Sequence, residues 1–528
     1  VLPMTPSMPT WTSYDEVPYE SLPFAQSHPS RLATVATVFG LQPPPVEHCR
    51  VLELGCAAGG NLLPMAEAFP ASEFVGVDLS ARQIAEGQRD LERLGLTNVR
   101  LHHANILDID NSYGSFDYII CHGVFSWVPR NVQEHILALC GQQLTPRGVA
   151  YISYNTYPGW HMRGLIRDIM RYHALRFPTP QERVGQARAL IDFLAQSVRN
   201  DTGAYAVLLR TELELMQNQS DHYLYHEQLE DINDPMYFHT FIERAQQHRL
   251  RYLGEARVST MVTRNFGPDV QKTLSLLASD LIQTEQYLDF VRNRTFRETL
   301  LVRDEQTPDW TITPERMVGL HIASPAQPQP TQSVDLTNES PAQFVTPSGL
   351  SISATWPLLK ATMQLLAEAW PGTVPYRELL AQAAARCGRP LADEEASRLT
   401  LNLLNAYLSS DVIELHATPI TLSRTRSEKP RALAYARLRA AAGHRKVTNR
   451  RHEVVILPDL HVRLVPLLDG RHDREALLEA LTAYAQKGDL TVNVSGQPVT
   501  DAETLRRALA RVLEPALETL ARDALLVG

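Results

Sequence analysis

The chain is 528 residues long, too long for one ordinary hydrophobic core, so two to four domains are expected. Its content, 44% hydrophobic and 21% charged, fits a soluble globular protein, and a net charge of −9 weighs against a dedicated nucleic-acid binder. The five cysteines (Cys49, Cys56, Cys121, Cys140, Cys387) are scattered and lack CxxC spacing, which excludes a disulfide framework and a zinc site and points to a reducing, cytoplasmic home. No run of about 18 apolar residues is present to span a membrane, and Val1–Thr10 lacks the charged-then-apolar order of a signal peptide.

In chain order, Tyr14–Pro29 is too aromatic for a disordered tail. Its prolines favour extended backbone, which leaves two readings: a cover laid over a ligand to exclude water, or a tail packed on the core. Val51–Leu54 reads as an apolar strand that breaks into the Gly-rich turn Gly55-Cys56-Ala57-Ala58-Gly59-Gly60, with a helix from Asn61 to Phe69. Such a junction sets bare backbone N–H groups and a positive helix end against a ligand. Phe74–Val77 is a second strand ending on Asp78, and an acid about 20 residues past the glycines suits ribose hydroxyls. A crossover helix, Ala81–Leu94, leads to a third strand, Val99–His103. Phe116–Cys121 is the fourth strand, Val132–Leu144 a helix and Gly148–Ser153 the fifth strand. The alternation predicts an α/β fold with a parallel, doubly wound sheet and a ligand at the carboxyl ends of its strands. The candidate contacts there are Glu53, Gly55, Cys56, Ala57, Gly59 and Asn61, then Asp78 and Leu79, Asn105 and Ile106, and His122, Gly123 and Val124. Tyr14, Tyr19 and Ser27 join them from the covering segment.

Ser153–His161 mixes polar groups with aromatics at the mouth of the sheet, as an acceptor pocket requires. A helical tract runs from Met162 to Asp231, broken at 178–180 and 200–203. Leu250–Leu253 and Arg294–Val302 are strand-like, with a helical stretch over Val270–Val291 between them. His222 and His226 lie four apart and are expected on one helical face beside Glu227 and Glu230; with no third ligand and no HExxH order, no metal is expected. Ala323–Pro330 reads as a Pro/Gln linker. Beyond it a weak repeat of helix, Gly turn, helix, loop, helix and short strand predicts two winged-helix-like α+β domains. Arg424–Arg451 holds ten Lys or Arg against one acid, Glu428. That run suits phosphates, a solvated hinge or an acidic protein, but neither repeat carries a base-reading helix. The expected division is 1–305 (core about 30–160, helical insertion about 162–240), a linker region 306–345, and winged-helix-like units at 346–425 and 426–528.

Glu-Leu-Gly-Cys-Ala-Ala-Gly-Gly at 53–60 resembles motif I of class I S-adenosylmethionine (SAM) methyltransferases. Together with Tyr14–Pro29, Ser153–His161 and His222–Glu230, it resembles bacterial proteins that join such an enzyme to a methyltransferase regulatory domain, the rickettsial outer-membrane-protein lysine methyltransferases among them. The resemblance covers about the first 300 residues well and the remainder only in layout. It implies a Rossmann-like sheet whose sixth and seventh strands are Leu250–Leu253 and Arg294–Val302, with Asn105 at the adenine amino group and His122–Val124 beside the methionine. Ala57 replaces a common second glycine, tolerable if the backbone there stays at negative φ. The resemblance implies SAM as cofactor, S-adenosylhomocysteine as product, and a lysine acceptor. Tyr154, Asn155, Tyr157 and Trp160 are the candidates for the acceptor channel, with His226 and Glu227 to orient the amine or take its proton. The expected partner is a protein held by the C-terminal domains, for instance a surface protein before export, and a homodimer stays open. Two competitors stand beside this reading: a small-molecule methyltransferase with dimerisation domains, and a SAM-sensing nucleic-acid-binding regulator.

Overall fold

The computed structural model describes residues 13–527 apart from 218, 330–333, 423–426 and 495–496, and of residues 13, 14 and 494 the backbone alone. Seven strands form the central sheet: β1 Arg50–Leu54, β2 Glu73–Asp78, β3 Val99–His103, β4 Phe116–Cys121, β5 Leu144–Asn155, β6 Leu250–Glu255 and β7 Phe296–Arg303. Their order is β3-β2-β1-β4-β5-β7-β6. β1 pairs in parallel with β2 and β4, β2 with β3, and β4 with β5. β7 runs antiparallel to both β5 and β6, which makes the sheet mixed rather than wholly parallel. Burial on both faces explains why β1, β2 and β4 read as near-continuous apolar runs. The same apolar run serves a strand in either direction, so the reversal of β7 leaves no mark in its composition. The order turns back between β1 and β4, opening a crevice at their carboxyl ends.

The helices Leu62–Ala68, Ala81–Leu94 and Arg130–Gln143 cover the sheet. Ser80 caps the second, its Oγ accepting from the Gln83 N–H at 3.2 Å. The insertion holds helices Gly159–Ala174, Pro180–Ser197 and Ala204–Gln217, packed around their own core of Ile166, Met170, Val184, Ile191 and Leu209. Thr179 and Glu182 close a reciprocal capping box at the start of Pro180–Ser197.

The first winged-helix-like unit packs helices Pro357–Ala369, Tyr376–Arg386 and Asp393–Ser409 on strands Val374–Pro375, His321–Ala323 and Glu414–His416. Its Leu366, Leu403 and Ile413 belong to one continuous apolar core with the catalytic sheet. The tract read as a linker is built into this unit: His321–Ala323 is the central strand, and Gln327–Pro328 pairs with Ala342–Val345. Met317, Leu320, Ile322 and Phe344 are buried between its prolines, and edge strands tolerate Pro. Residues 330–333 of this tract lie outside the described residues. The second unit has a separate core of Leu464, Leu477, Leu481, Leu517 and Leu520.

Three residues of the basic run pair with acids elsewhere in the molecule. Arg439 meets Glu86 at 3.4 Å and Asp90 at 3.7 Å, Lys446 meets Glu20 at 2.6 Å, and Arg451 is buried against Glu414. Arg424 and Arg426 lie outside the described residues. The carboxylate of Glu67 accepts from the Ala434 and Tyr435 backbone N–H groups at 2.7 and 3.0 Å, so a catalytic-domain residue caps helix Ala434–Ala441. Glu67→Ala is expected to weaken this docking by about 1–2 kcal/mol, read as a lower melting temperature and faster proteolysis of the C-terminal unit.

Candidate functional site

A cavity of about 810 Å³ opens at the carboxyl ends of β1, β2, β4 and β5. Glu53, on β1, is fully buried; its Oε1 accepts from Asn61 Nδ2 at 2.7 Å, while Oε2 has no hydrogen-bond partner among the described residues. Burial, against the opposing Asn61 hydrogen bond, pushes the Glu53 carboxyl up to about 8. Gly55 takes φ +76°, and a Cβ there would come within 2.3 Å of Val124 Cγ2, so only glycine fits this turn. Asp78 ends β2 with both carboxylate oxygens engaged, Oδ2 by the Ala57 N–H and Oδ1 by the Ser80 N–H, each at 2.8 Å. Burial raises its carboxyl above the usual range, against those two bonds.

Ala57 sits at φ +51°, in the left-handed region, contrary to the negative φ expected. Its N–H reaches Asp78 only in that turn, and the bond offsets the cost of a Cβ there, of order 1–2 kcal/mol. Asn105 also differs in detail: its Oδ1 accepts from the Leu107 N–H at 3.0 Å and caps a short 3₁₀ turn, while the residue lines the cavity.

The segment before β1 is a cover. Glu20, Ser21, Leu22, Phe24 and Gln26 line the cavity, and the Phe24 ring lies 3.7 Å, centroid to centroid, from His122. The Gly60 N–H donates to Ser21 Oγ at 2.7 Å and the Phe24 N–H to Asn61 Oδ1 at 2.9 Å. Burial holds the His122 ring neutral, its pKa down at about 3; its Nδ1 lies 2.9 Å from the Tyr151 hydroxyl.

The other end of the cavity is aromatic and acidic. Trp127, Trp160, Tyr19, Tyr223 and Glu227 form it, with Arg163 beside them. Trp127 meets Trp160 edge-on at 6.3 Å, and the Trp160 indole N–H has no partner among the described residues. Burial raises the Glu227 carboxyl, against Arg163 at 3.5 Å. His222 and His226 do not form the single face expected. A π-helical turn over Tyr225–Leu229 separates them: His222 meets Glu20 at 3.7 Å, whereas His226 is buried, its Nε2 donating to the Val17 carbonyl at 2.6 Å and its Nδ1 facing Glu230 at 2.7 Å. Among the described residues no group of three or more His, Cys, Asp or Glu is placed to hold a metal ion.

Of the residues singled out from sequence, the cavity brings together Tyr19, Glu53, Gly55, Cys56, Ala57, Asn61, Asp78, Leu79, Asn105, Ile106, His122, Gly123, Val124, Asn155, Trp160, His226 and Glu227. Four described ones, Tyr154, Tyr157, Ser27 and Gly59, do not line it. Tyr154 points into the core, stacked 4.1 Å from Phe241 with its hydroxyl 3.1 Å from Thr299 Oγ1. Strand alternation explains this, since neighbours on β5 face opposite sides and Asn155 takes the cavity side. Tyr157 stacks on His161 outside the cavity. Ser27 lies behind the cover, donating to the Phe24 carbonyl and accepting from Asn61. Gly59 supports the turn from beneath at φ +78°. The Tyr14 side chain lies outside the described residues. Sequence reasoning missed Gln83, Trp127, Arg163, Arg257, Phe296 and Glu298, which also line the cavity. Gln83 had a readable signal in its place on the first turn after Ser80; Phe296 and Glu298 arrive only through the pairing of β7 with β5, and Arg257 through that of β6 with β7.

This strand order with its reversed seventh strand, and acids ending both β1 and β2 around one cavity, define a class I methyltransferase fold and site. Residues 51–148 match the family described as "Methyltransferase domain", 220–303 "Predicted methyltransferase regulatory domain", and 428–525 "PKMT, C-terminal winged helix domain". The structure of PKMT2 from Rickettsia typhi is similar over 97% of this chain and 100% of that one, at 33% identity and a TM-score of 0.88. The same protein has a structure in complex with AdoHcy, similar to the same degree. Uncharacterized protein RP789 of Rickettsia prowazekii is 38% identical over 97% of this chain and 93% of its own length. The chain belongs to the PKMT2 family of SAM-dependent protein lysine methyltransferases.

A Cβ at Gly60 would stand 2.3 Å from the Ser21 carbonyl oxygen. Gly60→Ala is therefore expected to lift the cover without unfolding the sheet. Limited proteolysis should cut within residues 17–28 at least several-fold faster while far-UV circular dichroism is unchanged.

Proposed function

We propose that this cavity binds SAM along the β1, β2 and β4 ends, and that the chain transfers its methyl group to lysine side chains of a protein substrate. The observation that carries this reading is the charge of the cavity wall. Five acidic side chains (Glu20, Glu53, Asp78, Glu227, Glu298) line it against two guanidinium groups, Arg163 and Arg257. A cofactor bearing an ammonium and a sulfonium suits such a wall, and so does a lysine acceptor. The partnerless Oε2 of Glu53 fits the cofactor's ammonium, and Asp78 keeps lone pairs for ribose hydroxyls. SAM supplies an electrophilic methyl whose C–S bond breaks as a C–N bond forms, leaving S-adenosylhomocysteine.

The residues of the chain do the rest. A lysine of pKa about 10.4 is protonated at pH 7, and reaching the free amine costs about 4–5 kcal/mol. Burial among Trp127, Trp160, Tyr19 and Tyr223 lowers that cost. Glu227, its carboxyl raised by burial, is the proton acceptor at this end. Trp160 and Asn155 align the amine, and Phe24 and Leu22 of the cover exclude water. The substrate is proposed to be a protein handled before export, held by the C-terminal units.

The test is incubation of purified protein with methyl-labelled SAM and size-fractionated cell extract, beside Asp78→Ala. Label in macromolecules that acid hydrolysis releases as methyl-lysine is expected, with Asp78→Ala reduced tenfold or more. Label confined to small molecules would overturn the lysine reading.

Glu53 gives a pH dependence. Below about 8 its carboxyl binds a proton in the ligand-free protein, and pairing with an ammonium requires that proton to leave. AdoHcy affinity should therefore rise about tenfold per pH unit from 6 towards 8 and flatten above it. Calorimetry at pH 7 in buffers of different ionisation enthalpy should report close to one proton released. Glu53→Gln should abolish both effects.

A further inference from the structure

Asn61 follows the Gly-rich turn and is buried, and its carboxamide uses all four of its hydrogen-bonding positions. Nδ2 donates to Glu53 Oε1 at 2.7 Å and to Ser27 Oγ at 3.1 Å. Oδ1 accepts from the Phe24 N–H at 2.9 Å and lies 2.7 Å from His452 Nε2. A backbone N–H can only donate, so the atom facing Phe24 is the oxygen, and His452 must present an Nε2–H to it. His452 comes from the second winged-helix-like unit, 391 residues along the chain, and is itself buried. It stands at φ +60° in the turn between strands Lys446–Thr448 and Val454–Ile456, a conformation held by its backbone N–H on the Asn449 carbonyl at 3.0 Å. Burial keeps the ring neutral, with a pKa of about 3, so one tautomer serves throughout the neutral range.

We propose that His452 is a positioning residue for the cofactor: by donating to Asn61 it locks the carboxamide that orients Glu53 towards the cofactor's ammonium. The C-terminal unit thus supports the cofactor end of the cavity from behind, through Asn61. The same strand pair also touches the cover, through Lys446 on Glu20 at 2.6 Å. This inference rests on the reading of the cavity as the SAM site.

The test uses the full chain. His452→Ala is expected to weaken AdoHcy binding and raise the KM for SAM by about tenfold, with the KM for the protein substrate unchanged. His452→Gln, which carries an amide N–H at similar reach, should recover most of the loss. A general packing role would move both KM values and would not be rescued by Gln. Unchanged AdoHcy binding in His452→Ala overturns the inference, and so does a Gln variant as impaired as Ala. If the wild-type chain itself does not bind AdoHcy, the proposed cofactor site fails first. Should His452→Ala not fold, long-range ¹⁵N–¹H spectra of histidine-labelled wild type at pH 7 decide the matter. An Nε2–H tautomer for His452 is required, and an Nδ1–H tautomer overturns the proposal.

Discussion

Glu53, buried, and Asp78, half-buried, stand near the ends of two paired parallel strands, where a carboxyl group is costly to ionise unless its oxygens are engaged. Much of the surrounding architecture can be read as the means of engaging them. The left-handed turn at Ala57 turns a backbone N–H onto Asp78, and Ser80 supplies another. Asn61 takes one oxygen of Glu53 and leaves the other partnerless among the described residues at the cavity. An opposite charge brought by a ligand relieves the remaining strain, so the cavity is built to prefer a cation.

The same carboxamide joins the N-terminal segment to the C-terminal unit. Phe24 and His452 approach Asn61 from opposite ends of the sequence, and Glu67 and Glu86 receive helix Ala434–Ala441 on the outer face of the catalytic domain. Two basic residues of 424–451, Arg439 and Lys446, meet acids of the catalytic domain, and Arg451 meets Glu414 of the first winged-helix-like unit. Part of a run that looks in isolation like a phosphate-binding surface is therefore an internal seam. The first winged-helix-like unit goes further and shares its core with the sheet.

At the proposed acceptor end the chemistry asks for a dry, aromatic and mildly acidic enclosure. Trp127 and Trp160 supply the walls, and Glu227 supplies a carboxyl raised by burial. The π-helical turn at Tyr225–Leu229 sends His226 back to the Val17 carbonyl and so ties the regulatory segment to the root of the cover.

The five parallel strands, their crossover helices and the two acids were legible because strands buried on both faces must be apolar throughout and glycine marks a turn such as that at Gly55, where φ is positive and no Cβ fits. Motif spacing therefore located Glu53, Gly55 and Asp78 without any tertiary information. The side on which Tyr154 and Asn155 fall was not legible, since a period of two gives alternation but not which face is core. Nor was the reversal of β7, which brings Phe296 and Glu298 into the cavity, or the seating of His452 on Asn61 across 391 residues. Local sequence determined the class of site because ligand-binding turns are made of adjacent residues. Tertiary structure alone decided what encloses that site, because strand direction, face and domain docking arise from contacts between residues far apart in the chain.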